Sequence, residues 1–190
     1  AAHKELALTT IAIEALGVAQ PGGGRSATLT VLRELLRRDA ARRYVLLLDR
    51  FEPELAACGD HVTQRLSPPG LGRFACRLWA QADWPIALRR EGVQLVHHRN
   101  LTTSLLPGRR VVTIYDLGPV LDPAIFPLAD RLYWRYVQPR ALRRADAVIA
   151  ISQRTANDLI HYYHLPPEQV EVIHLAYHPR YAPQPEEEIA

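Results

Sequence analysis

Four places along the chain set polar groups just beyond an apolar run: the turn Gly22-Gly23-Gly24-Arg25, the loop His97-His98-Arg99-Asn100, the pair Tyr115-Asp116, and Ser152. A glycine-rich turn feeding a helix N-terminus exposes backbone N–H groups and the positive end of the helix dipole. It can therefore meet an anion or a sugar hydroxyl at close range; the alternative is a loop whose glycines only supply positive φ. The turn matches neither the G-x-G-x-x-G dinucleotide fingerprint nor a phosphate-binding P-loop. Asp116 ends the most hydrophobic run and can accept from sugar hydroxyls, or cap the backbone of the Leu117-Gly118-Pro119 turn. Tyr115 offers a phenol hydroxyl or packs. Asn100 is a polar reader or a plain loop asparagine. Ser152 is first a helix cap, with ligand contact secondary.

Other chemistries fit less well. His161 and His164 stand three apart on a helix and His97-His98 are adjacent, but no Cys, Asp or Glu completes a three-ligand set at a familiar spacing, so no metal and no other cofactor is expected. No G-x-S-x-G elbow supports a serine nucleophile. An epimerase of the dinucleotide-fold type would need the G-x-G-x-x-G turn and a Tyr-x-x-x-Lys pair, and Lys4 is the sole lysine.

The elements that must position these groups alternate short β-type runs with longer helical patterns, which indicates βαβ units. Strands are expected at Leu6 to Ile13, Tyr44 to Leu48, Val62 to Leu66, Val93 to His97, Val111 to Tyr115, Asp146 to Ile151 and Glu171 to Leu175. Helices are expected from a Ser26 cap to Arg38, in a short turn started by Pro53, and from Arg73 to Arg90 with Pro85 kinking or splitting it. Two more are expected from Leu128 to Arg144, bent at Pro139, and after a Ser152 cap with an apolar face at Ala156, Leu159, Ile160 and Tyr163. The predicted fold is α/β: a Rossmann-like, doubly wound, mainly parallel sheet of about seven strands, whose ligands gather beyond the carboxyl ends of the strands.

Composition fits one ordinary globular domain: 190 residues, 48% hydrophobic and 23% charged. With 23 basic and 20 acidic residues the net charge is only +3, so a nucleic-acid partner is not indicated. Cys58 and Cys76 form no disulfide framework and no signal peptide opens the chain, from which a cytoplasmic location is expected. The sequence holds no methionine, so its natural start is expected to be missing. Arg131, Arg135, Arg140, Arg143 and Arg144 form either a solvated helix face or a peripheral contact with anionic lipid at the inner face of the membrane.

Three stretches resemble the retaining GT-B glycosyltransferases of the large "group 1" family. Val111-Val112-Thr113-Ile114-Tyr115-Asp116-Leu117 with Asp122 to Pro127 is similar to "VVT-I-HDL … P-x-x-FP". Ala145 to Ser152, with Thr155 to Leu159 and Pro166 to His174, is similar to "AD-x-VIAVSE-x-T-x-x-DL … PPEKV-x-VIPNG". Gly22 to Arg25 with Leu32 and Leu35-Leu36 resembles "GGIGRY-x-x-x-LL". Tyr115 stands where many members carry a histidine implied to contact the donor, and His174-Leu175-Ala176-Tyr177 replaces the usual Pro-Asn-Gly.

The resemblance implies an N-terminal, acceptor-side domain over residues 1–178 and a linker over 179–190 toward a separate nucleotide-sugar domain. It further implies hexose transfer, with retention and without a bound metal, from a nucleotide-sugar to a lipid, polysaccharide or small-sugar acceptor. Residues 1–190 alone are expected to be inactive. The competing expectation is a non-catalytic ligand-binding or assembly module with the same sheet.

Overall fold

The computed structural model describes residues 9–71, 73–99 and 108–175, with the backbone alone at 73, 74 and 77. Seven strands form one sheet: β1 Thr10–Glu14, β2 Arg43–Leu48, β3 Val62–Leu66, β4 Leu95–Arg99, β5 Arg109–Ile114, β6 Ala147–Ala150 and β7 Val170–Val172. Their spatial order is β3-β2-β1-β4-β5-β6-β7, and every neighbouring pair is parallel. Parallel neighbours need crossovers, and the helices that make them cover both faces, so the inner strands can be apolar on both sides. β2 shows this. Val45 and Leu47 join Ala12, Trp84 and Leu88 on the side of α3 (Arg73–Arg90), while Leu46 and Leu48 join Ile13, Leu32 and Leu36 on the side of α1 (Gly23–Arg38). The two-residue period of a strand thus feeds two cores at once.

A third core lies under the β5–β7 half, where Val112, Ile114, Val148 and Ala150 meet Trp134, Leu142, Leu159 and Tyr163. The chain order here passes through α4 (Gly118–Leu121), α5 (Leu128–Leu132), α6 (Gln138–Leu142) and α7 (Gln153–Tyr163), while the short α2 (Pro53–Ala56) lies between β2 and β3. Among α7's predicted apolar positions Ala156, Leu159 and Tyr163 are buried and Ile160 is half-buried, as a 3.6-residue period requires.

Several local expectations change. α1 begins at Gly23, not after Ser26: Gly22 is its N-cap at φ +143°, a conformation that L side chains seldom adopt, and Ser26 N–H donates to the Gly22 carbonyl inside the helix. Pro85 does not split α3, which runs unbroken from Arg73 to Arg90. Between α5 and α6 the helix widens into one π turn, Tyr133–Val137, with Gln138 N–H reaching the Tyr133 carbonyl. Pro139 follows at once. Its missing N–H and its ring are incompatible with a regular turn, and the extra residue per turn absorbs both, so the expected bend takes this form. β1 starts at Thr10, β4 extends to Arg99, and residues 176–190, with the expected linker, lie outside the described residues.

Candidate functional site

The strand order reverses direction between β1 and β4, so the chain leaves their carboxyl ends toward opposite sides and opens a crevice there. Glu14, the last residue of β1, bridges that point. Its carboxylate accepts from the Leu16 N–H at 2.8 Å and from the Arg99 N–H, at the end of β4, at 3.0 Å. Glu14 has no solvent exposure, and burial pushes its carboxyl up to about 8, against the pull of the two amides and the Arg99 charge. His97, two residues earlier on β4 and on the same face of the strand as Arg99, sits 2.8 Å from the Thr113 hydroxyl; burial, and then Arg99, bring it down to about 4.

Arg99 itself is only 9% exposed and its guanidinium stacks over the Tyr115 ring, 5.1 Å from the centroid. Burial lowers it to about 10, with Glu14 pulling the other way, and its Nη1 has no hydrogen-bond partner.

Two clefts meet at this rim. One, of about 400 Å³, is lined by Gly22, Gly24, Arg25, Arg99, Tyr115 and Asp116 among others. The second, of about 520 Å³, shares Leu16, Gly17, Gln20, Arg99 and Asp116, and extends past Ser67–Gly70 to Trp134. Five of the eight residues expected from the sequence to contact a ligand therefore converge on one cleft, together with Arg99 of the His97-His98-Arg99-Asn100 loop. Gly23 opens α1 beside it, with open space around a Cβ at Gly22, Gly23 and Gly24 alike, so the reason for glycine there is the positive φ of Gly22, not crowding.

The others divide by what already holds them. Arg25 lines the cleft, but its guanidinium is committed: both Nη atoms donate to the Glu52 carboxylate, at 2.7 and 3.0 Å, and Nη1 also donates to the Val18 carbonyl. Asp116 faces the cleft while its Oδ1 accepts from the Gly118 N–H at 2.8 Å, which is the turn-capping role weighed for it. Ser152 lines neither cleft. It caps α7, accepting from the Thr155 N–H at 3.1 Å, and Thr155 Oγ1 donates in turn to the Tyr115 carbonyl at 3.0 Å. Asn100 lies outside the described residues.

The sequence places Arg99 on the rim only as part of the His97-His98-Arg99-Asn100 loop, and gives no role to Glu14, Glu52 or Asp49. Asp49 is the carboxylate beyond β2, and it accepts from the Gly17 and Ala19 amides at 2.9 and 3.0 Å, tying down the loop after β1. For Glu14 a signal existed: it ends an apolar run as Asp116 does. For the partners of Arg99 there was none, because they lie 85 and 16 positions away along the chain.

Among the described residues no three His, Cys, Asp or Glu side chains gather as a metal-ligand set. His164 instead closes α7 in the left-handed conformation, at φ 54°. No described helix is long and apolar enough to cross a membrane. Away from the rim, Arg131, Arg135, Arg140 and Arg143 line a cleft of about 540 Å³ on α5 and α6, where Leu128, Leu132 and Tyr136 are exposed.

A family model described as Glycosyltransferase Family 4 matches residues 21–180. No curated protein matches the chain in sequence. Solved structures share the fold: a sucrose-phosphate synthase from Thermosynechococcus elongatus aligns with a TM-score of 0.62 at 17% identity, over 87% of this chain and 48% of that one. An Anabaena protein solved with UDP and glucose aligns with a TM-score of 0.55 at 18% identity, over 89% and 45%. A Listeria monocytogenes protein that carries the name of a UDP-N-acetylglucosamine 2-epimerase aligns with a TM-score of 0.60 at 9% identity, over 86% and 44%. The chain thus spans about half the length of these structures.

Proposed function

We propose, from the premise that this chain belongs to Glycosyltransferase Family 4, that it is the acceptor-side half of a two-domain GT-B glycosyltransferase. A second domain of similar size would bring a nucleotide-sugar to the crevice between β1 and β4, and a hexose would pass, with retention of configuration, to a lipid, polysaccharide or small-sugar acceptor. The observation that carries this reading is the convergence of the glycine turn, Tyr115, Asp116 and Arg99 on one cleft at the point where the strand order reverses. The fold alone fits an epimerase as well as a transferase; the family match favours transfer.

In this half the chain's own groups do limited and definable work. The first-turn amides of α1 present N–H groups and the helix dipole to whatever occupies the smaller cleft. The Asp116 carboxylate has a second oxygen available to accept from a sugar hydroxyl while Oδ1 stays on Gly118. Neither completes a reaction, because stabilising a departing diphosphate needs donors from both walls of a closed cleft. The arginines and exposed side chains of α5 and α6 fit a peripheral contact with anionic lipid as a secondary feature, which sedimentation with and without anionic vesicles tests. Equal recovery in the supernatant removes it.

The test of the main reading is a transfer assay with a panel of radiolabelled UDP- and GDP-hexoses, run on residues 1–190 and on the full-length product of the same gene. Turnover is expected from the full-length product alone. Sustained transfer by residues 1–190 overturns the two-domain reading, and epimerised sugar in place of transferred sugar overturns the transferase.

A further inference from the structure

We propose that Arg99 selects an acidic acceptor, a sugar or polyol bearing a phosphate ester or carboxylate whose oxygens dock on its guanidinium in the groove formed by the two clefts. A buried guanidinium is costly unless its donors and its charge are matched, since five N–H groups must find acceptors that water no longer supplies. Arg99 is nine-tenths buried, its Nη1 has no hydrogen-bond partner, and its one described ring contact is Tyr115. The cleft's other arginine, Arg25, is matched by Glu52, so the two cations differ in what they have left to give.

The carboxylates near Arg99 do not take that role. Glu14 spends both oxygens on the Leu16 and Arg99 amides, and burial holds it largely neutral near pH 7. Asp49 is held by Gly17 and Ala19, and Asp116 by Gly118. Asp130, on the far wall of the larger cleft, has an interaction of its own. An incoming forked oxyanion would supply both the counter-charge and the acceptor, and arginine's planar donor set suits phosphate and carboxylate alike. Arg99 lines both clefts, so an acceptor lying in the larger one can reach it while the glycine turn stays free for another ligand.

The acceptor role rests on the transferase reading; the oxyanion contact does not. Titration calorimetry of residues 1–190 with glucose, glucose 6-phosphate, glucuronate and UDP tests the contact without any transfer. Both acidic sugars are expected to bind about tenfold or more tighter than glucose, as a charge-assisted pair in a buried site would give. Arg99→Met, close in volume, should abolish that margin, and Arg99→Lys, which keeps the charge but not the fork, should keep part of it. A variant-free readout is the Arg99 Nε–Hε resonance, which glucose 6-phosphate should shift in the native chain and glucose should not. Equal binding of glucose and the acidic sugars, or an unmoved resonance, overturns the proposal. Arg99-dependent binding of UDP alone also overturns it, because the contact would then belong to the donor. Arg99-dependent sugar binding by a protein whose full-length form transfers nothing would retract the function and leave the site standing.

Discussion

The two ends of the rim are built differently. Beyond β6 the polar groups are neutral and the cap is local: Ser152 caps α7 through Thr155 three residues on, and Thr155 then holds the Tyr115 carbonyl 40 positions back. Beyond β1, β2 and β4 they are ionisable, buried or half-buried, and drawn from far apart, with Glu14 reaching the Arg99 amide and Arg25 reaching Glu52. A neutral cap is satisfied as soon as the helix forms. A buried charge is satisfied only when the tertiary structure brings its partner, so the β1–β4 end concentrates both the cost of folding and the unused donor capacity that a ligand can exploit.

Removing one member of the charged end should therefore give the largest effect. Glu52 is 5% exposed and accepts from both Nη atoms of Arg25. Glu52→Ala leaves Arg25 without its counter-charge and opens the loops after β1 and β2. A loss of about 3 kcal/mol is expected, the lower end for a broken buried pair because Arg25 keeps some solvent contact. Urea denaturation measures it, and Glu52→Gln should lose less because an amide oxygen still accepts. A loss under about 1 kcal/mol for the alanine variant would make this end no more demanding than the Ser152 cap.

That contrast also explains what could be read along the chain. The apolar runs of β2, β5 and β6, the Ser152 cap and the face of α7 are local patterns, and they stand where the sequence put them to within a residue or two. The glycine turn and Tyr115-Asp116 could be placed on one rim because a parallel sheet fixes which strand ends are neighbours. The partnerships there could not. Glu14 and Arg99 are separated by 85 positions and Arg25 and Glu52 by 27, and no periodicity links residues so far apart. Local misreadings had local causes. Ser26 has the side chain of a cap, but Gly22 supplies the positive φ and the helix starts there; Pro139 breaks the ladder, but a π turn repairs it.

The charged end should also set the pH dependence of stability. Glu14 is raised from 4.5 to about 8, so its contribution is complete below pH 4.5 and is lost as pH rises through 8. His97 is lowered from 6.5 to about 4, so its contribution is complete above pH 6.5 and is lost as pH falls through 4. Between about 4.5 and 6.5 the two slopes oppose and nearly cancel. From 6.5 to 8 Glu14 acts alone, at up to about 1.4 kcal/mol per pH unit, for a fall of about 2 kcal/mol across that window. Glu14→Gln, which mimics the protonated acid, should flatten the fall and uncover the rise due to His97 below pH 6.5. Denaturation midpoints at pH 5.5, 6.5 and 8 decide it: a native chain equally stable at 6.5 and 8 would show that Glu14 is already ionised at the lower pH.

The smallest effect belongs to the neutral end. Ser152→Ala removes one acceptor for the Thr155 N–H and should cost about 1 kcal/mol, while Ser152→Asp, whose carboxylate can cap the same amide and favours the helix dipole, should cost little or nothing. α7 does not depend on this bond alone, because Leu159 is fully buried and Tyr163 donates its hydroxyl to the Trp134 carbonyl at 2.7 Å. A cost well above 2 kcal/mol for the alanine variant, unrelieved by aspartate, would mean that the Ser152 hydroxyl also fixes Thr155 Oγ1 on the Tyr115 carbonyl. In that case the cap would reach the cleft through Tyr115, and the two ends of the rim would be one coupled structure.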